Sequence, residues 1–213
     1  MGTADEHTPE IGRRERRAEA MIAAARELFL ERGFDAVSLT QIVRRSGGSL
    51  STLYDLFGNK QGLLGAVVDA ERFDGIGRLR AILSKDGPPV DVLMEAASHL
   101  MTLMADQRFV DLIRLVMSEA LTSPEFAARV YAGSNRPLKD EFAALFRRWN
   151  EEGRAQVPAP ELSAHIFNSL FFQAPQLRAI FGDDDATPPC DRQAMLRHGV
   201  TMFLAGAAVP VPA

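Results

Sequence analysis

The chain has 213 residues, enough for one large domain or two modest ones. Hydrophobic residues make up 46% of it, ample for a core, yet no apolar run approaches the ~20 residues that a membrane span needs. A net charge of −4 excludes a protein that coats nucleic acid over its whole surface, and the single cysteine, Cys190, excludes an internal disulfide.

The distribution of charge says more than its sum. Ile11–Lys60 carries nine Lys/Arg against six Asp/Glu, whereas the first ten residues and the stretch after Lys60 are both net acidic. Phosphate binding needs such a local field rather than a basic protein. Ala and Leu are abundant and no strand-like runs of Val, Ile and Thr occur, which predicts an all-α fold. Met1–Glu10 is polar and acidic, without the apolar core of a secretory leader. With the lone thiol, this predicts a protein of the reducing cytoplasm that works away from membranes. Cys190, in the polar loop 183–191, reads as a thiol without a role.

In chain order, residues 1–12 are predicted to be a disordered tail. A first helix follows, with Ala18, Met21, Ile22, Ala25, Leu28 and Phe29 at helical spacing, closed by Gly33. Ser38 or Thr40 caps a second, short helix with Ile42 and Val43 turned inward. Ser46-Gly47-Gly48-Ser49 breaks it. A third short helix has Leu53, Leu56 and Phe57 on its apolar side and ends at Gly58-Asn59. A fourth, longer helix opens near Lys60. It carries Gly62, Gly65, Gly75 and Gly77, which weaken it and serve either as a hinge or for close helix packing. Further helices are predicted over Val90–Ala105, Phe109–Leu121 and Pro124–Asn150, the last broken at Gly133–Pro137. Two more cover Glu161–Phe181, kinked at Pro175, and Arg192–Ala207. The tail 208–213 is expected to fray.

Two short helices around a Gly-containing turn, braced by a longer preceding helix, form a helix-turn-helix over about 38–57. The second of the pair opens with Ser49, Ser51 and Thr52. Such small hydroxyl residues suit a helix whose N-terminal end enters the major groove, where the helix dipole also favours phosphate. Arg13, Arg14, Arg16 and Arg17 form a basic run ahead of the first apolar positions. They read either as a solvated helix start or as an arm that reaches phosphate or the minor groove, with Arg16 and Arg17 the candidates.

The segment resembles the TetR family of regulators. The resemblance runs through Phe34, Ser38-Leu39-Thr40, Ile42-Val43, Ser46-Gly47, Ser49, Thr52-Leu53-Tyr54, Phe57 and Asn59-Lys60, then Leu63-Leu64. It covers about 50 residues at fixed spacing. It implies that Tyr54 lays its ring and hydroxyl against the DNA backbone, that Lys60 and Thr40 bind phosphates, and that Ser49, Leu50, Ser51 and Thr52 face the groove. Three positions depart from the family's pattern. Leu50 cannot hydrogen-bond a base but can pack on a thymine methyl. Asp55 repels phosphate, and either accepts from a cytosine amino group or pairs with a nearby Arg. Gly48 replaces a small hydrophobe and predicts less packing under the turn.

The resemblance implies a DNA-binding domain at 13–60 and a helical-bundle domain at 61–207 for ligand binding and dimerisation. Arg114–Glu119 and Pro124–Ala127 look like the AefR-like branch. Met94, Met101, Met104, Met117, Phe126, Phe142, Phe146, Trp149 and Phe167 are core or pocket candidates; as a group, adaptable Met and aromatic side chains suggest a pocket. Arg114 either pairs with neighbours or orients a ligand. Phe167, Leu170, Phe171, Met195, Val200 and Phe203 are candidates for a paired-helix interface. The implied partners are double-stranded operator DNA, a second copy of the chain, and a small apolar or amphipathic effector whose binding releases a repressor from DNA. No cofactor is implied. His7, His99, His165 and His198 make no metal-ligand pair, and no phosphate loop or nucleophile elbow occurs, so an enzyme is not expected. The rival reading is a helical adaptor that acts through protein partners, kept open by Leu50 and Asp55.

Overall fold

The computed structural model describes residues 8–182 and 192–207. The readings of His7, Cys190 and the tail 208–213 fall outside the described residues. Among the described residues there is no strand, only ten α-helices and one π-helical turn. The chain divides into two units: residues 1–72 with 115–127, and residues 73–114 with 128–213. The division therefore falls inside helices rather than at residue 60.

In the first unit, α1 (Thr8–Arg32) starts five residues before the expected boundary at 13. Pro9 sits in the first turn, where its missing N–H has no helical partner to lose. Met21, Ala24, Ala25, Leu28 and Phe29 form its buried stripe, and α1 packs on α2 (Leu39–Ser46) and α3 (Leu50–Phe57). Ile42, Val43 and Leu53 are buried there, as are Leu63, Leu64 and Val67 of α4 (Lys60–Leu83). Phe34, just past α1, lays its ring 5.2 Å from that of Phe29.

The second unit is built from the rest of α4, α5 (Pro89–Leu103), most of α7 (Pro124–Glu151), α8 (Pro160–Asn168), α9 (Ala174–Phe181) and α10 (Arg192–Ala207), with the first half of α6 (Gln107–Thr122). α7 runs unbroken through Pro137, which corrects the expected interruption at Gly133–Pro137. One absent N–H costs a single helical rung, and Leu138, Phe142, Leu145, Phe146 and Trp149 are all buried immediately after it. Between α8 and α9 the helix widens into a π-helical turn, Ser169–Gln173. Pro175 stands at the second position of α9. A proline ring clashes with the carbonyl four residues back, and a wider turn relieves that clash.

The core of this unit is aromatic. Phe167 lies 4.8 Å from Phe142, 4.7 Å from Phe171 and 5.1 Å from Phe203, centroid to centroid. A Cβ added at Gly199 would stand 2.7 Å from Phe171 Cζ, so this glycine lets the ring press directly onto α10. Side chains hold the loops. Asn150 donates to Val157 O at 2.8 Å and accepts from Val157 N at 2.7 Å. Arg148 donates to Leu83 O at 2.7 Å. Two polar groups in the core, Trp149 Nε1 and the Asn168 amide, have no hydrogen-bond partner among the described residues.

Candidate nucleic-acid interface

The helix-turn-helix is set by its caps. Ser38 closes a capping box at the start of α2: its N–H donates to Gln41 Oε1 at 2.7 Å, and its Oγ accepts from Gln41 N at 3.3 Å. Gly47 ends α2 with φ 72°, the left-handed conformation that a residue without Cβ adopts readily. Two residues on, Ser49 caps α3, its Oγ accepting from Thr52 N at 3.1 Å and lying 2.9 Å from Thr52 Oγ1. At the far end Asn59 Oδ1 accepts from Gly62 N at 2.7 Å and so caps α4. A Cβ on Gly62 would fall 1.9 Å from Phe57 O, so Gly62 serves a close backbone approach. Among the described residues nothing lies within 4 Å of a Cβ added at Gly75 or Gly77, so no close packing is observed there.

With Leu53 buried, α3 turns Leu50, Ser51, Tyr54 and Asp55 outward. Tyr54 is 53% exposed and Leu50 38%. This exposure sets Tyr54 apart from a packing tyrosine. Asp55 forms no ion pair among the described residues, so pairing with a nearby Arg is not observed. Thr40 is exposed on α2; Thr52 is half-buried and engaged with Ser49. Lys60 is half-buried: its Nζ lies 4.4 Å from the Phe34 ring centroid and donates to Asp35 O at 3.4 Å. Burial lowers the Lys60 pKa below its ordinary 10.5, against the opposing charges of Asp35 and Glu119.

The arginines divide into tied and untied ones, a distinction that no sequence pattern made. Arg45 bonds Glu27 at 2.5 Å and Glu31 at 3.3 Å; the hydrogen bond it donates to Glu31, first, and the charges of both carboxylates raise its pKa. Arg26 pairs with Glu71 at 2.8 Å. Arg44, Arg13, Arg16 and Arg17 are exposed and make no ion pair among the described residues. Arg44 was missed as a candidate, although it stands four residues after Thr40 on α2. Gly48 does not leave the turn underpacked, contrary to expectation. A Cβ there would come 2.2 Å from Met21 Cε, so the methionine already fills that space.

The pocket and interface candidates are sorted by the fold. Met117 and Phe126 belong to the first unit and the remaining pocket candidates to the second, so the structure does not group them as one set. Phe142, Phe146, Trp149 and Phe167 are fully buried among one another. Met104 is buried, and Met94 and Met101 pack against the core. Arg114 donates to Ala179 O at 2.8 Å and Ile180 O at 3.0 Å and pairs with Asp111 at 3.1 Å, which caps the C-terminus of α9. Of the interface candidates, Phe167, Phe171 and Val200 are wholly buried within the unit and are unable to meet a partner. Met195 and Phe203 are half-buried; only Leu170 is exposed. The exposed apolar side chains on these helices are instead Leu162, Ile166, Leu170, Leu177, Phe181 and Met202.

A capped helix-turn-helix with an outward polar and tyrosine-bearing face, in an all-helical chain, defines a DNA-binding regulator. Comparison with known proteins gives the same class. Residues 21–67 match the family model described as bacterial regulatory proteins, tetR family, and residues 91–206 match that of the AefR-like transcriptional repressor C-terminal domain. The chain belongs to the TetR family of bacterial transcriptional regulators. It is 40% identical over 83 residues to the HTH-type transcriptional repressor BdcR of Escherichia coli, a match that covers 37% of this chain and 42% of BdcR. The chain thus spans less than half the length of that relative. A TetR-family regulator from Mesorhizobium loti superposes with a TM-score of 0.79 at 24% identity, over 91% of this chain and 98% of the other. FadR from Bacillus subtilis, in complex with stearoyl-CoA, does so with 0.68 at 15% identity, over 88% and 98%. These structures share the fold. No helix among the described residues is long and apolar enough to cross a membrane.

Proposed function

We propose that the protein is a repressor that binds operator DNA as a homodimer and leaves it when a small apolar or amphipathic effector enters the second unit. The observation that carries the DNA-binding part is the outward face of α3. Leu50 and Ser51 stand at its N-terminal end and Tyr54 one turn on, all exposed while Leu53 alone anchors the helix. Arg16, Arg17, Thr40, Tyr54 and Lys60 contact backbone phosphates, and Leu50 and Ser51 meet base edges, with Ser49 and Thr52 acting first as the cap that orients them. An effector is supported by the stearoyl-CoA complex of the B. subtilis FadR, and an amphipathic one by the unpartnered Asn168 amide in an aromatic core. Dimerisation is supported by the exposed apolar residues of α8, the π-helical turn, α9 and α10. A coupling of roughly 1–3 kcal/mol per site between effector and DNA suffices for release.

A mobility shift against the DNA upstream of the protein's own gene, at two salt concentrations, tests this reading. Saturable, salt-weakened binding is expected. Tyr54→Ala should weaken it about tenfold, roughly the 1.4 kcal/mol of one charge-assisted hydrogen bond with its ring contact. Failure to bind both that fragment and a pool of random duplexes would favour the adaptor.

A further inference from the structure

Asp55 stands where an acid is unfavourable. It lies on the outward side of α3, and a carboxylate brought near a phosphodiester backbone is repelled. A neighbouring cation would offset that charge, yet Asp55 makes no ion pair or hydrogen bond among the described residues, although Arg44 of α2 is exposed and unpaired as well. The direction of the carboxylate is set by the helix. Leu53 is the buried anchor of α3. At about 100° per residue, Ser51 and Asp55, two positions before and two after it, each stand about 160° around the axis from Leu53, whereas Leu50 and Tyr54 stand about 60° and 100° away. Ser51 and Asp55 thus straddle the line opposite the anchor, one turn apart on a single row, and both are exposed. A side chain that points straight away from the core meets the floor of a groove rather than its phosphate rim.

The chemistry of base edges then selects the partner. A carboxylate only accepts hydrogen bonds. In the major groove guanine presents two acceptors, thymine an acceptor and a methyl group, and adenine an acceptor beside its amino donor. Cytosine alone presents a donor without an acceptor. We propose that Asp55 is a specificity-determining residue: it accepts from the N4 amino group of a cytosine in the operator and rejects the acceptor edges of guanine and thymine at the same position. Repulsion from the backbone serves the same end, because it lowers affinity for every sequence and only a duplex with that cytosine compensates it. Asp55 is one of the positions that depart from the family's pattern, so the preference belongs to this chain and not to the family. The inference rests on the DNA-binding reading and fixes one base of the site.

The test uses the full-length wild type, Asp55→Asn and Asp55→Ala. Each selects bound duplexes from a random pool, which are sequenced. Affinities are then measured for the wild-type consensus, for its single-base variants and for a random duplex. The wild type is expected to require cytosine at one position, with a loss of about tenfold on any other base, the scale of one mismatched pair. Asparagine offers a donor beside its acceptor and pairs with adenine N6 and N7. Asp55→Asn should therefore exchange cytosine for adenine at that position alone, and Asp55→Ala should lose the preference without gaining another. Both should bind the random duplex more tightly than the wild type, with thermal unfolding unchanged, since the side chain is exposed. The same consensus from all three proteins would overturn the proposal; tighter binding of the random duplex in that case would leave Asp55 as a repulsive charge and nothing more. A response at a base other than cytosine would overturn it too. If the wild type binds no duplex, the DNA-binding reading itself fails; if it selects a site that the Asp55 variants also select, only the role of Asp55 fails.

Discussion

Lys60 shows what one residue's surroundings add to its type. Its ammonium rests on the Phe34 ring and the Asp35 carbonyl, and burial lowers its pKa below 10.5. The unfolded chain therefore holds this proton to higher pH than the folded one. The cost of burying the charge is fully present below the lowered pKa and is relieved as pH rises towards 10.5. The proposed phosphate contact has the opposite need, because it is the protonated amine that holds a phosphate. Affinity for DNA is expected to fall with rising alkaline pH before an ordinary lysine would titrate, and Lys60→Arg should flatten that fall, since a guanidinium stays charged. Anisotropy titrations over the alkaline range would check this; identical profiles for both proteins would mean that Lys60 does not meet a phosphate. Met21 and Gly48 make a related point. The glycine looks like lost packing in isolation, and the methionine 27 positions earlier supplies the missing atoms.

At the scale of elements, termini govern the helix-turn-helix. α2 and α3 have eight residues each, too short to be stable alone, so their caps and their packing on α1 fix them. Ser38→Ala and Ser49→Ala are each expected to cost about 1 kcal/mol in urea unfolding. Ser38→Thr should keep most of that stability, because the hydroxyl persists. Ser49→Ala should also reduce DNA affinity, since it frays the end of α3 that carries Leu50 and Ser51. A neutral Ser49→Ala would show that packing alone holds α3. Ser38 was legible as one of two cap candidates beside Thr40, and Gly47 as the turn, whereas Ser49 reads as a groove-facing residue and Asn59 as a helix end, and only the structure makes caps of them. The π-helical turn was legible only as a kink at Pro175, because the way a helix absorbs a proline depends on what crowds it, here the buried Phe167 just before the widening and the buried Phe171 within it.

At the scale of the molecule, the second unit leaves Leu162, Ile166 and Leu170 exposed at four-residue spacing, followed by Leu177 and Phe181. An apolar surface of this kind on paired helices is what association covers. If this face is the seam of the proposed homodimer, Ile166→Glu is expected to weaken association by more than tenfold, since an uncompensated buried carboxylate costs several kcal/mol. Sedimentation should then show the monomer mass with helical content intact, and DNA affinity should fall with it, because two half-sites are read together. A variant that stays dimeric would place the interface elsewhere. The sequence offered Phe167, Phe171 and Val200 for this role. They are apolar and on the right helices, but α8 and α10 are apolar on more than one side, so periodicity did not tell the core face from the outer one.

The sequence by itself determined the all-helical class, the helix-turn-helix with its Gly47 turn, and the family. These follow from local chemistry: helical spacing, hydroxyl caps, a glycine at a left-handed turn, and motif residues at fixed intervals. The tertiary structure decided which arginines are neutralised, that Arg114 caps α9, that Met21 fills the space under Gly48, where the two units divide, and which apolar face stays outside. Each of these depends on residues brought together from distant parts of the chain. No pattern within a helix encodes which neighbour it will meet, and that encounter decides whether a charge is paired or free and whether an apolar side chain is core or surface.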